Sequence, residues 1–228
     1  MDLLLNEKNP KMSFGDYVYD VLKENIIHWK LKPGTRLSEN EVSEYLNVSR
    51  TPVREAFIKL SREGVLEIVP QKGSYVSFID MDIIDDVLFL RKNVETAIVR
   101  LAVDTMTEES ILQLSSLLDK QRSCVNARDY DQFFHFDERF HYCIYEATGR
   151  KRIWDIIHSS DTQYKRFRML TLLEYTDFEV ILEQHRQIFT ALRNGDCELA
   201  ANTTLTHLNK FSTDYNGIRE KYAEYFKQ

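Results

Sequence analysis

In the first third of the chain, hydrophobic residues recur at spacings of three and four, the period of an amphipathic helix. Three helices are predicted there, each after a serine that can cap its first turn: Ser13, Ser38 and Ser49. Pro33 and Gly34 separate the first helix from the second. About three or four residues join the second helix to the third, and this arrangement predicts a helix-turn-helix.

After Gly64 the hydrophobic period changes from that of a helix to that of a strand. Residues 65–69 predict one strand and residues 75–78 predict a returning strand. Pro70 and Gly73 mark the turn between them. Because a two-stranded ribbon after a helix-turn-helix is a wing, this part of the chain is predicted to be a winged helix-turn-helix domain.

The rest of the chain keeps the helical period, without strand alternation or a repeat of fixed length. The predicted helices span residues 82–104, 107–127, 129–147, 150–171, 175–193 and 196–213. The expected fold class is therefore mainly α, with a helical bundle after the winged domain. The predicted domains are a flexible arm (1–12), the winged helix-turn-helix (13–78), a linker (79–81) and the helical domain (82–228).

The composition excludes several classes of protein. A membrane span needs about 18 consecutive apolar residues, and the chain has no such run. The first twelve residues lack the basic start and apolar core of a secretory signal. The three cysteines are widely spaced and odd in number, which favours free thiols in a reducing cytoplasm: Cys124, Cys143 and Cys197.

The charge pattern permits DNA binding, although the net charge is −6. Residues 11–80 contain ten Lys or Arg and ten Asp or Glu, so the winged domain is neutral. Arg50 and Arg54 lie four apart at the start of the third helix, and guanidinium groups suit guanine edges and phosphate oxygens. Thr51 adds a small hydroxyl, and the wing tip at Lys72 and Gly73 could approach a phosphate closely. The alternatives are a solvated helix with surface arginines and an ordinary hairpin turn.

Four segments resemble the winged-helix domain of the GntR family of bacterial transcription regulators: LKPGTRLSE (31–39), LNVSRTPVREA (46–56), EGVL (63–66) and GSYV (73–76). The resemblance implies that Arg50, Thr51, Arg54 and Gly73 contact operator DNA. It also assigns a DNA contact to Asn40, where some relatives have Arg.

Polar residues interrupt the apolar stripes of three predicted helices in the bundle. Asp137 and His141 lie four apart on one helix, and His185 and His207 lie on two others. One carboxylate and three imidazoles suit Zn²⁺, with Ni²⁺, Mn²⁺ and Fe²⁺ as further candidates, and leave a coordination position open for a ligand. The alternative for each histidine is a hydrogen-bonded residue of the core.

The bundle resembles the FCD effector-binding domain of FadR-type GntR regulators. The residues that carry the resemblance are Leu90, Arg91, Glu95, DERFH (137–141), EQHRQI (183–188), Gly195, Asp196, Ala200, His207 and Leu208. The resemblance implies a metal held by Asp137, His141, His185 and His207. It also places Arg91 where it would fix an effector carboxylate, with a salt bridge to Glu95 as the alternative.

Two further effector candidates, Tyr164 and Arg168, lie four apart on one predicted helix. The predicted function is a DNA-binding transcription regulator, a repressor in the bacterial cytoplasm, associated with the nucleoid when bound to its operator. It would bind a palindromic double-stranded operator as a homodimer and respond to a small organic acid at or near the metal. A purely structural metal is one alternative. A metal-dependent hydrolase is the other, although no general base occurs at a spacing such as His-Glu-x-x-His, so no catalytic residue is predicted.

Overall fold

The structure is a computed structural model that describes residues 3–5, 7–174, 178–213 and 215–227. Within these residues the chain forms eleven α-helices and three short strands. Two compact units contain them. The first unit comprises Met1–Ile84, Ser160–Met169 and Arg219–Gln228, and the second comprises Asp85–Ser159 and Leu170–Ile218.

The first unit contains the predicted winged helix-turn-helix. Its elements in chain order are α1 (Phe14–Ile27), β1 (Arg36–Leu37), α2 (Glu39–Tyr45), α3 (Arg50–Arg62), β2 (Leu66–Val69) and β3 (Gly73–Val76). The inward faces of the helices meet in one apolar core, in which Val53, Phe57 and Leu60 of α3 are fully buried. The helical spacing of these three residues fixes which face of α3 points outward.

The wing has one more strand than the sequence predicts. Its antiparallel sheet has the order β1-β3-β2. Tyr75 of the central strand β3 pairs with Arg36 of β1 on one side and with Glu67 of β2 on the other. Strand β1 is only two residues long, so it carries no alternating pattern that sequence analysis could detect.

Only one of the three predicted serine caps in this unit forms its side-chain bond. Ser13 Oγ accepts the backbone N–H of Asp16 at 3.0 Å. Ser38 and Ser49 occupy the cap positions of α2 and α3, but within the described residues their hydroxyls make no capping bond. The helix starts were therefore predicted correctly, while the capping interaction was wrong for these two serines.

The N-terminal residues are attached to the first unit, which differs from the predicted flexible arm. Leu3 is only 7% exposed and belongs to the apolar core. The backbone N–H of Leu4 donates to Asn25 Oδ1 at 2.7 Å, and Asn25 Nδ2 donates back to the Leu4 carbonyl at 2.9 Å. The buried Asn25 side chain thus satisfies both backbone polar groups of Leu4. Residues 1, 2 and 6 of the predicted arm lie outside the described residues.

Two later segments also belong to the first unit, although the sequence assigned them to the helical domain. Trp29 Nε1 donates to the Arg166 carbonyl at 2.8 Å. The Ile79 N–H donates to the Tyr225 carbonyl at 2.9 Å, beside a parallel bridge between Ile79 and Phe226. These bonds join residues more than a hundred positions apart, which local patterns do not report.

The other helices are α4 (Met81–Thr105), α5 (Glu108–Ala127), α6 (Tyr130–Ala147), α7 (Lys151–His158), α8 (Thr162–Glu174), α9 (Phe178–Asn194), α10 (Cys197–Thr213) and α11 (Tyr215–Lys221). Of these, α4, α8 and α11 have residues in both units. The predicted start of one helix at residue 175 lies outside the described residues. No helix in the described part of the chain is long and apolar enough to cross a membrane.

The predicted helix over 150–171 is in fact two helices, α7 and α8. The break falls at Ser159, Ser160 and Asp161, whose side chains compete with helical hydrogen bonding. Ser159 Oγ donates to the Ile156 carbonyl at 2.7 Å, and this bond satisfies an end carbonyl of α7.

Candidate metal centre and nucleic-acid interface

The start of α3 presents the predicted DNA-reading residues to solvent. Arg50, Thr51 and Arg54 are all exposed, because the buried face of the helix is occupied by residues such as Val53 and Phe57. Pro52 lies in the first turn, where its missing N–H has no helical partner to lose. The helix therefore offers two guanidinium groups and a hydroxyl at one end, as reading of a major groove requires.

The wing tip adds a second exposed surface. Lys72 is exposed, and Gly73 has a φ of +128°, a backbone conformation that residues with a side chain rarely adopt. Arg36 on β1 approaches this glycine, since its Nε lies 3.1 Å from the position that a Cβ would take. Arg36 is exposed as well, and sequence analysis did not single it out because its strand is so short. Asn40 on α2 is exposed, and its carbonyl accepts the Ser43 hydroxyl at 2.8 Å.

The second unit brings together the four predicted metal ligands. Asp137 and His141 come from α6, His185 from α9 and His207 from α10, and their ligand atoms all lie within 4.8 Å of one another. All four side chains are buried, with 3% exposure or less. The Nε2 atoms of His141 and His207 are 3.2 Å apart, and His185 Nε2 is 3.6 Å from Asp137 Oδ1. Ligand bonds of about 2.0–2.2 Å place neighbouring ligands of one metal roughly 3 Å apart, so this spacing suits a metal.

Each imidazole has a partner on the side away from the cluster. The Nδ1 of His141 lies 2.9 Å from Glu95 Oε2, a carboxylate oxygen that can only accept. The Nδ1 of His185 lies 2.8 Å from Gln121 Oε1, and the Nδ1 of His207 lies 3.1 Å from Gln184 Oε1. In the neutral rings of His185 and His207 Nδ1 is thus the donor, and Nε2 carries the lone pair. His141 makes a close charge contact with Glu95 through its Nδ1.

This distribution of hydrogens is a test of whether the residues fit a metal. The Nε2 atoms of His141 and His207 face each other across 3.2 Å. With a lone pair on His207 Nε2, either a proton on His141 Nε2 or a metal cation against both nitrogens makes this contact favourable. The buried Asp137 carboxylate beside them adds a negative charge that the protein interior tolerates only when it is compensated. The donor set therefore matches a divalent cation in number and type.

A buried ion pair supports this cluster from α4. Arg91 Nε donates to Glu95 Oε1 at 2.5 Å, and both side chains are almost completely buried. Burial alone would raise the pKa of Glu95, but the charge of Arg91 and the contact with His141 outweigh it and hold that pKa at about 2. Glu95 is therefore a carboxylate at any physiological pH.

The three predicted effector residues fall into two groups. Arg91 is bonded to Glu95, so the structure contains the salt bridge that sequence analysis weighed as the alternative. Tyr164 and Arg168 are buried and belong to the first unit, with the guanidinium 5.6 Å from the tyrosine ring centroid, whereas the four ligand residues belong to the second. Contacts of these residues with an effector stay predictions.

Sequence analysis missed Gln121 and Gln184, the amide partners of two histidines. The signal for Gln121 was present, because it continues the buried stripe of α5 formed by Leu114 and Leu118. A polar residue at such a position has a buried partner in most proteins. Gln184 is half-buried and carried no such signal.

Known protein families match both the winged domain and the helical bundle of this chain. Residues 15–76 match the family described as bacterial regulatory proteins, gntR family, and residues 86–210 match the FCD domain. The chain is 35% identical to the HTH-type transcriptional repressor RspR of Escherichia coli K12 over 220 residues, which cover 96% of each protein. It is 34% identical to an HTH-type transcriptional regulator of Streptomyces ambofaciens, over 92% of this chain and 88% of that protein.

Solved structures share the fold. E. coli McbR/YncC superposes with a TM-score of 0.78 at 22% identity, over 92% of this chain and 99% of that one. A GntR regulator from Rhodococcus sp. RHA1 gives a TM-score of 0.74 at 24% identity, over 90% and 99%. The matched family and relatives are regulators of transcription rather than enzymes. The chain therefore belongs to the gntR family of bacterial regulatory proteins, as a DNA-binding transcription regulator with an FCD domain.

Proposed function

We propose that this regulator binds a palindromic operator as a homodimer, and that a small carboxylate bound at a divalent metal in the FCD domain changes its affinity for DNA. The observation that carries the proposal is the convergence of Asp137, His141, His185 and His207 within 4.8 Å. The Nδ1 atoms of His185 and His207 are bonded to glutamine oxygens, which leaves their Nε2 atoms for an ion. The proposal that the protein binds an operator is supported by its membership of a family of bacterial regulatory proteins.

The DNA contacts follow from the exposed surface of the winged domain. Arg50, Thr51 and Arg54 would read base edges in the major groove, since the first turns of a recognition helix lie closest to the bases. Lys72 and Gly73 would approach the phosphate backbone, with Asn40 of α2 as a further contact. Two copies of α3 about one DNA turn apart match a palindromic site, which is the reason for proposing a homodimer.

The metal side rests on the chemistry of the ligands. One carboxylate oxygen and three imidazole nitrogens favour Zn²⁺, and Ni²⁺, Mn²⁺ and Fe²⁺ also accept such a set. Asp137, His141, His185 and His207 would hold the ion, which would supply an open coordination position for a carboxylate oxygen of the effector. The negative charge of the effector would then be compensated inside a buried site.

We also propose that the protein is a repressor that acts in the bacterial cytoplasm, where its operator DNA lies. RspR of E. coli carries the name of a transcriptional repressor. A gluconate operon transcriptional repressor of Bacillus licheniformis is 27% identical over 194 residues, covering 83% of this chain and 79% of that protein.

A purely structural metal is the second candidate. The four side chains join α6, α9 and α10, so an ion would hold three helices together whatever else it did. Removal of the metal would then lower the melting temperature without changing the binding of an effector.

Calorimetric titration of the Zn²⁺-loaded and metal-free protein with a panel of small carboxylates separates the two candidates. The titrations are made below the melting temperature of the metal-free protein. At least one carboxylate is expected to bind the loaded protein about tenfold or more tightly than the metal-free protein, because the ion provides its coordination position. Equal affinity of every carboxylate for both forms would leave the metal structural.

A further inference from the structure

The three histidines of the cluster are backed by three side chains of different helices. Glu95 lies on α4, Gln121 on α5 and Gln184 on α9, and each meets the Nδ1 of one imidazole. The observed contact of each of these three side chains with the cluster is made at an Nδ1, and not at the nitrogen assigned to the ion. Their chemistry therefore acts through the imidazoles.

The orientation of the Gln121 amide is fixed by a second bond. Its Nε2 donates to the carbonyl of Phe136 at 3.1 Å, and a carbonyl can only accept. Its Oε1 must then be the atom that faces His185, so the Nδ1 of this ring carries the hydrogen. The His185 ring also stacks on Phe140, with centroids 4.5 Å apart and planes inclined by 21°. The hydrogen bond to Gln121 and the stacking on Phe140 together hold the His185 ring in the observed orientation.

We propose that Gln121 and Gln184 are positioning residues of the metal centre, and that they hold His185 and His207 in the tautomer that presents Nε2 to the ion. This inference rests on the proposed metal. Without an acceptor at Nδ1, a neutral imidazole is free to move its hydrogen to Nε2 or to turn its ring, and both changes remove a ligand lone pair. Outer partners of this kind typically contribute about 10–100-fold to metal affinity.

Gln184 is the better position for a test, because it is half-buried and a substitution there leaves the core intact. It lines a groove of about 610 Å³ beside α9 and α10, which gives a new side chain room. Gln187 lines the same groove one turn further along α9, and its amide donates to Glu183 Oε1 at 3.4 Å. Gln187 therefore provides a control with the same side chain in the same groove, at an exposed position whose observed hydrogen bond is to Glu183 and not to a histidine of the cluster.

The experiment measures Zn²⁺ affinity of the full-length protein by competition with a chelator, for wild type, Gln184→Leu, Gln184→Glu and Gln187→Leu. Gln184→Leu removes the acceptor and is expected to weaken Zn²⁺ binding about 10–100-fold. Gln184→Glu keeps an acceptor oxygen and should bind Zn²⁺ at least as tightly as wild type. Gln187→Leu should match wild type. The melting temperature of the metal-free proteins reports separately on folding.

A role in packing alone predicts wild-type Zn²⁺ affinity in both Gln184 variants, because glutamate has the shape of glutamine and leucine fits a half-buried position in a groove. Wild-type Zn²⁺ affinity in Gln184→Leu would overturn the inference and leave the proposed metal standing. Absence of Zn²⁺ binding in the wild type would overturn both. Gln121→Leu repeats the test at the second imidazole, where the same loss is expected if its metal-free form melts as a folded protein.

Discussion

Replacing Arg54 by alanine is expected to remove specific operator binding while the fold stays intact. A bidentate contact between an arginine and a guanine is worth about 1–3 kcal/mol. A homodimer loses the contact in both half-sites, so the expected cost is about 2–6 kcal/mol, or roughly 30-fold to 10⁴-fold in Kd. The side chain is exposed, and the face of α3 that holds the core together is the opposite one.

The measurement is a fluorescence anisotropy titration at fixed salt, with an operator selected from random DNA by the wild-type protein. Salt must be held constant because phosphate contacts release counterions. Arg62→Ala is the matched control, since Arg62 is the last residue of the same helix, is exposed, and lies two turns from the predicted base contacts. The Arg62→Ala variant should bind every DNA sequence slightly more weakly than the wild type, by the same factor for each. If Arg54→Ala binds the operator as tightly as the wild type, Arg54 does not contact its bases.

Replacing His185 by alanine is expected to reduce the metal content from about one ion per chain to almost none, as measured by plasma mass spectrometry on protein purified with Zn²⁺. The imidazole is fully buried and joins the Asp137 side of the cluster to Gln121. Its loss removes one of four ligands and leaves the Gln121 carbonyl oxygen without its donor. A coordination set reduced to three protein ligands, with one outer partner released, loses affinity by orders of magnitude.

His135→Ala is the control for this experiment. His135 lies on α6 like Asp137 and His141, but it is exposed and packs its ring against Phe136. Its variant should retain the full metal content. A His185→Ala protein that still carries one ion per chain would show that the four residues are a hydrogen-bonded core and that the metal lies elsewhere.

The winged domain was predictable because its signals are local. The spacing of Val53, Phe57 and Leu60 within one helix determines which face is buried, and hence that Arg50 and Arg54 point outward. The change of period after Gly64 likewise lies within a few residues. Strand β1 escaped detection because two residues cannot show a period, and its pairing with β3 is made across about forty positions of sequence.

The four-residue cluster was predictable for a related reason. A carboxylate and three histidines on otherwise apolar stripes must point into the bundle, and Asp137 and His141 share one face of α6. That His185 and His207 would reach the same point was inferred from the co-occurrence of three such histidines with a carboxylate, and then from the resemblance to the FCD domain, since stripes alone do not give the packing of helices. The separate partners of the imidazoles lie on yet other helices, and only the folded chain pairs them.

The attachment of residues 160–169 to the winged unit was beyond sequence analysis. It depends on bonds such as that from Trp29 to the Arg166 carbonyl, which span 137 positions. The position of Leu3 in the core depends on a distant contact too, because the backbone N–H of the next residue, Leu4, donates to the buried side chain of Asn25. Both findings concern backbone groups that find their partner in a distant part of the chain.

In the proposed function, operator binding is controlled from the metal centre. The most direct test is the operator affinity of the Zn²⁺-loaded wild type and of His185→Ala at fixed salt, each with and without the carboxylate that the calorimetric panel identifies. The carboxylate is expected to shift the operator Kd of the wild type about fivefold or more, the lower end of typical coupling between sites, and to leave that of the variant unchanged. An equal shift in both proteins would contradict the proposed function, because the effector would then act without the metal centre.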